Sequence, residues 1–340
     1  MARKSKQKRA AAGAAPPDNA PNPAEPTRRG RKGKAIVLLV AGLLFGVGAA
    51  TLVLLEGHVL DRHAHSAPTR AKVVLLDRPE WMPPQLEREI ISSLCPVKLR
   101  FTDPRLTEEL WKRSEANPWV RRVRSVRRRM AADGQSGEIL IEAEFRRPSA
   151  RVPRPDGVRH VYVDEQGVVL PAEQTPKFTA ELTVDGRARR VYFLQREDAP
   201  PHLRLQRIHY VEVLVHYAYD PPPPAPGRQW SSEALAAALR LVKLIEARRE
   251  WAWQISAVSV ENHDGRVARN EPHIRMYAQV GRGPVTDIRW GRFPTPDGDW
   301  VVSPERKLSY LDDFFRRHGR LAGVKEYIDL RYDWGYESIH

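Results

Sequence analysis

Residues 35–55 read AIVLLVAGLLFGVGAATLVLL, an apolar run without a single charge. A helix of that length, at about 1.5 Å per residue, covers roughly 30 Å, the thickness of a bilayer's hydrocarbon core. The sequence therefore predicts one transmembrane helix, anchored by Ile36, Leu39, Leu44, Phe45, Leu52 and Leu55. Arg28, Arg29, Arg31, Lys32 and Lys34 crowd its N-terminal side, while Glu56, Gly57 and His58 follow it. By the positive-inside rule the N-terminus stays in the cytoplasm and the bulk of the chain lies beyond the membrane. A cleaved signal peptide would have an apolar run of about 7–15 residues behind a short basic leader. The run and the 34-residue leader are both longer, which favours an uncleaved anchor. Gly42 and Gly46 have the spacing of a helix-pairing face.

The net charge of +14 is concentrated ahead of this run: residues 1–34 hold ten Lys/Arg against two acidic residues. The remaining surplus is spread thinly, which argues against a phosphate-binding face and a nucleic-acid partner. Residues 1–34, rich in Lys, Arg, Ala and Pro, are predicted to be a disordered cytoplasmic tail able to touch anionic lipid. The single cysteine, Cys95, excludes an intramolecular disulfide and a Cys-based zinc cluster. His58, His63 and His65 lie in a linker, 56–71, too loose for metal coordination.

Two α+β regions are predicted after the linker. In 72–152 the order is strand, helix, helix, strand, strand. Val73–Leu76 is apolar; Leu86, Ile90, Ile91 and Leu94 have helical spacing; Leu106, Leu110 and Trp111 mark a second helix behind Thr102, Asp103 and Pro104. Trp119–Arg129 is a basic extended segment, and Glu138–Arg146 alternates as a half-buried strand. The arginines 121, 122, 124, 127, 128 and 129 have two readings: the solvated face of an edge strand, or a contact for an acidic partner or lipid. Region 153–335 is strand-rich, with helices at Trp230–Arg249 and Ser303–Arg317, a proline-rich spacer at 221–226, and an alternating last strand, Glu326–Tyr332. Residues 336–340 form a short tail.

Three motifs carry a resemblance. Asn117-Pro118-Trp119-Val120 opens the basic strand, completed by Phe145-Arg146-Arg147-Pro148-Ser149-Ala150. Tyr162-Val163-Asp164-Glu165-Gln166-Gly167-Val168-Val169 is a hairpin, and Lys307-Leu308 precedes Tyr327-Ile328-Asp329-Leu330-Arg331-Tyr332. In this order the chain resembles the FtsQ/DivIB family of bacterial division proteins. The resemblance implies a POTRA domain beside the membrane, a β domain beyond it, and a place at the division septum. It also implies FtsB/DivIC-type and FtsL-type single-pass partners. Two departures stand out. Val123 and Val126 are three apart where the family alternates, for which a bulge is one explanation. The stretch 172–230 is longer than in the family, and its pairing is not assignable from sequence.

No nucleophile elbow, zinc-protease motif or phosphate loop is present. Asp164, Asp312, Asp313 and Asp329 have no spacing that places two around one cleft, so no enzyme activity, cofactor or small-molecule substrate is expected. A terminal strand at a sheet edge offers unpaired amides to a partner's strand instead. Tyr327, Ile328, Leu330, Arg331, Tyr332 and Trp334 are the candidate contact residues, with Ile328 and Leu330 equally placed to close the core. The rival is a POTRA-bearing translocation or outer-membrane assembly factor. It would continue into long amphipathic strands, which the prolines and helices after residue 220 oppose.

Overall fold

The structure, a computed structural model, describes residues 42, 46–55, 70–95, 101–130, 136–184, 187–294 and 301–333. The chain divides into two units, 1–66 and 67–340, each described by itself.

In the first unit, residues 46–55 are helical, and Leu52 and Leu55 are exposed. Ile36, Leu39, Leu44 and Phe45 lie outside the described residues, as do the three linker histidines and the basic tail. The predicted fold class is corrected here. Among the described residues, no helix is long and apolar enough to cross a membrane.

The second unit is α+β with mixed sheets. It opens with β1 (Arg70–Leu76), α1 (Pro84–Leu94), α2 (Leu106–Ala116), β2 (Val120–Met130) and β3 (Ser136–Phe145). Proline opens α1, where its missing N–H and fixed φ do no harm. Asp103 does not cap α2 directly: its carboxylate accepts the Arg105 N–H in the turn ahead, and the helix starts at Leu106. The pre-proline residue Asn117 is forced out of the helical region and ends α2. The sheet order is β1-β3-β2, with β1 parallel and β2 antiparallel to the central strand. Leu86, Ile90 and Leu94 of α1 and Leu106 and Leu110 of α2 bury against Ile139 and Ile141.

The basic strand β2 carries two register shifts, at Val120/Arg122 and Val123/Ser125. An extra residue in a bulge turns the strand, so Val120 and Val123, three apart, both reach the core. Its arginines meet a ladder of carboxylates on β3: Arg129 with Glu138 at 2.6 Å, Arg127 with Glu142 at 3.5 Å, Arg124 with Glu144 at 2.9 Å. Arg128 donates to the Phe101 carbonyl at 2.9 Å. The solvated-face reading of this strand fits these partners.

The chain then builds an eight-stranded sheet. Its first strands are β4 (Pro148–Pro153), β5 (His160–Asp164) and β6 (Val169–Leu170). A separate ribbon, β7 (Phe178–Val184), β8 (Arg187–Phe193) and β9 (Gln206–Arg207), forms a small sheet of order β8-β7-β9. The large sheet resumes with β10 (Val211–Leu214); α3 (Glu233–Glu246) follows, capped by Ser232, whose Oγ accepts the Leu235 N–H at 3.0 Å. Next come β11 (Ile255–Ser259), β12 (Ile274–Ala278), β13 (Thr286–Gly291), α4 (Pro304–His318) and β14 (Tyr327–Asp329). The order across the sheet is β14-β13-β12-β11-β10-β4-β5-β6. Leu235, Leu239, Val242 and Ile245 of α3 and Leu308, Leu311 and Phe314 of α4 bury against Val213, Val258, Met276 and Ile288.

The two sheet layers of this unit share a junction. Leu170 and Leu194, from the second region, complete the core of the first. Trp119 Nε1 donates to Gln174 Oε1 at 2.9 Å, and the Arg146 guanidinium sits 2.7 Å from a nearly inaccessible Asp164 carboxylate. Asp164 also builds the turn of the Tyr162–Val169 hairpin: its Oδ1 accepts the Gln166 and Val168 N–H groups, and Gly167 takes φ +78°.

Candidate partner-binding edge

What places the last strand is the return from α4. Gly319, at φ +68°, closes the helix in the left-handed conformation that glycine adopts without penalty. Gln254 Oε1, buried, accepts the Leu321 and Ala322 N–H groups at 2.8 and 3.1 Å. Thr286 Oγ1 donates to the Lys325 carbonyl at 2.7 Å and accepts the Gly323 N–H at 2.9 Å. Gly323 has φ +68°, and a Cβ there would lie 2.6 Å from Pro284 Cγ. The loop is thus pinned at several points before the chain joins β13.

β14 lies parallel to β13, with Ile288 opposite Ile328. Asp287 N–H donates to the Glu326 carbonyl and Leu330 N–H to the Arg289 carbonyl, both at 2.9 Å. Backbone groups of an extended strand alternate in direction, so even-numbered residues here face β13. The N–H and C=O of Tyr327 and Asp329 therefore face the open edge. The far edge of the same sheet is closed. Val169 N–H donates to the Arg228 carbonyl, Gly227 N–H to the Val169 carbonyl, and Val168 bridges Gln229.

Side chains divide by the same alternation. Ile328 and Leu330 point inward and are buried at 3% and 0% exposure, which makes them core residues. Tyr327 is about half exposed, with the Arg289 guanidinium 4.1 Å from its ring centre. Arg331 grips Asp329 through Nη2 at 2.8 Å and Nε at 3.0 Å, and also donates to the Asn270 carbonyl at 3.2 Å. Burial works against the Asp329 carboxylate, but the Arg331 side-chain and backbone donors prevail and hold its pKa below the usual range. Tyr332 is exposed, beside Arg331. Asp333 is bound by Tyr310 Oη and lies 3.5 Å from Arg306, tying the chain after β14 to α4. Trp334 lies outside the described residues.

Lys307 supports this edge from below. It is 1% exposed, and its Nζ donates to the Trp290 carbonyl at 2.7 Å and the Arg292 carbonyl at 3.1 Å. Burial lowers its pKa to about 8, against the pull of Asp329. A cleft of about 500 Å³ opens beside it, lined by Arg269, Arg292, Lys307, Arg331 and Tyr332 among others.

The remaining acidic candidates are placed apart by their partners. Asp312 accepts from Trp251 Nε1 at 2.8 Å and faces Arg248; Asp313 pairs with Arg316 one helical turn on. Sequence reasoning missed Arg289, which flanks the edge. Its signal was the alternation of Asp287 and Arg289 with Ile288 and Trp290. Among the described residues, no group of three or more His, Cys, Asp or Glu is arranged to hold a metal ion. Set beside known proteins, this chain is matched by no protein-family model and by no curated protein.

Proposed function

We propose that this chain is a non-enzymatic scaffold of the bacterial division machinery, working at the septum on the outer side of the cytoplasmic membrane. Its partners are FtsB/DivIC-type and FtsL-type single-pass proteins, and β14 is the edge on which a partner lays its own strand. The observation that carries the proposal is the asymmetry of the large sheet: one edge is closed by 227–229, while Tyr327 and Asp329 turn their amides outward at the other. Backbone pairing supplies affinity in this mode, and alternate side chains supply register. Tyr327, Arg331 and Tyr332 are of the types that anchor interfaces. The basic cleft beside them suits a partner segment that carries a carboxylate.

The test is a titration of the purified protein with the extracytoplasmic segment of an FtsB/DivIC-type partner. Tyr332→Ala and Arg331→Glu are each expected to weaken binding at least about tenfold, with the domain still folded; Tyr332→Ala leaves the unfolding midpoint unchanged, and Arg331→Glu lowers it through loss of the Asp329 pair. Equal binding by both variants would remove β14 as the interface. Septal gathering of a fluorescent fusion in dividing cells, and digestion of residues after 56 by protease added to intact spheroplasts, test the location.

A further inference from the structure

The β7–β8 ribbon extends past its support. At its base Thr179, Ala180 and Phe193 are buried, and β9 pairs with β7 only at Phe178 and Thr179. Beyond Ala180 the two strands pair with each other through Val184 and Arg187, and Glu181, Thr183 and residues 187–190 are exposed. A two-stranded ribbon alone is marginal in water, and its edge leaves amides unpaired. The ribbon's outer part therefore adds little to the fold that carries it.

Its charge is unevenly divided, with Glu181 and Asp185 ahead of β8 and the arginines on it. Arg187, Arg189 and Arg190 stand within four consecutive residues of β8. Among the described residues, the ion pair on this part joins Arg190 to Glu181 at 3.7 Å, with both side chains more than half exposed, too loose and too wet to neutralise the strand. Cross-strand register puts Arg187 and Arg189 on the face that carries half-buried Leu182 and Val191, and Arg190 on the other face opposite Glu181.

We propose that β8 is a second docking edge, which takes an extended acidic segment of another protein in which carboxylates alternate with small apolar residues. Free amides give the incoming strand its direction. Arg187 and Arg189, which share one face, meet its carboxylates, and its apolar residues turn to the other face, over Ala188. A second copy of this chain is a poor occupant, because pairing β8 with β8 sets arginine against arginine. Cationic side chains also keep a bare edge from aggregating. Gatekeeping alone, however, is served by a shorter ribbon ending at Ala180. The proposal is independent of β14.

The experiment uses the full chain and a fluorescent peptide of alternating Glu and Val, with a Lys/Val peptide and phosphatidylglycerol vesicles as parallel probes, read by anisotropy and co-sedimentation. The acidic peptide is expected to bind and the basic one not. R187E/R189E/R190E is expected to lose at least tenfold for the acidic peptide and to gain the basic one, with R187Q/R189Q/R190Q in between. An unchanged unfolding midpoint confirms that the variants are folded, and Tyr332→Ala is expected to leave this binding intact. Failure of the wild-type chain to bind the acidic peptide, or equal binding by the reversed variant, overturns the proposal. So does vesicle binding that the reversal abolishes while the peptide is ignored, since the arm then belongs to a lipid surface.

Discussion

Lys307 gives the sharpest handle on the terminal edge, because its burial has a pH signature. In the folded chain its pKa falls to about 8 from the ordinary 10.5, by burial. At pH 7 the folded and unfolded chains both carry this proton. As pH rises through 8 the folded chain releases it first, and the unfolded chain holds more protons until about 10.5. Stability therefore climbs with pH across that window. Each unit of separation is worth about 1.4 kcal/mol, so the full gain is about 3 kcal/mol, with about 2 kcal/mol reached by pH 9.5. Lys307→Met keeps the length of the side chain and removes the charge. It also leaves the Trp290 and Arg292 carbonyls without their Nζ donor, an offset that does not titrate. Urea unfolding of both proteins from pH 7 to pH 9.5 isolates Lys307 from tyrosines that ionise nearby. The wild-type chain is expected to gain about 2 kcal/mol on the variant over this range. Parallel stability curves would refute the idea that a charged lysine is held in the core under β14.

Two further substitutions probe the supports of the edge and of the junction. Gly323→Ala places a methyl 2.6 Å from Pro284 Cγ at φ +68°, and should cost about 2 kcal/mol in urea unfolding, with weaker partner binding as the β13–β14 pairing loosens. Asp164→Asn keeps the turn bonds at Oδ1 but removes the carboxylate from Arg146, which is 15% exposed and retains Gln166 Oε1 at 3.2 Å; a loss of about 2 kcal/mol is expected by calorimetry, and no change would show the pair to be dispensable.

Where hydrophobic spacing matched a single buried face, the sequence was legible. Leu235, Leu239, Val242 and Ile245 line one side of α3, inside the predicted Trp230–Arg249 helix, and Ser232 caps it. Ile328 and Leu330 alternate with Tyr327 and Asp329 as a half-buried strand requires, but the pattern alone did not decide between core and interface. That depended on what lay across the strand, namely β13 and α4. The valines of β2 broke the expected alternation, because a bulge is a response to pairing with β3 and leaves no local mark. β4 was hidden by Pro148 and Pro153, which sit at its two ends, where a missing N–H is tolerated. The pairing of β7 with β8 was unreadable, since exposed arginines and a short apolar stripe resemble a loop until the strands meet. The apolar run at 35–55 predicted a spanning helix from length and composition, whereas among the described residues no helix is long and apolar enough to cross a membrane.

The junction through Trp119, Arg146, Asp164 and Leu170 has a mechanical consequence. With a shared core, a hydrogen bond and an ion pair at the seam, the β1-β3-β2 sheet and the eight-stranded sheet are tied to one another at several points. If β14 captures a partner as proposed, these ties would let the position of that partner, rather than any change of form, be what this molecule passes on.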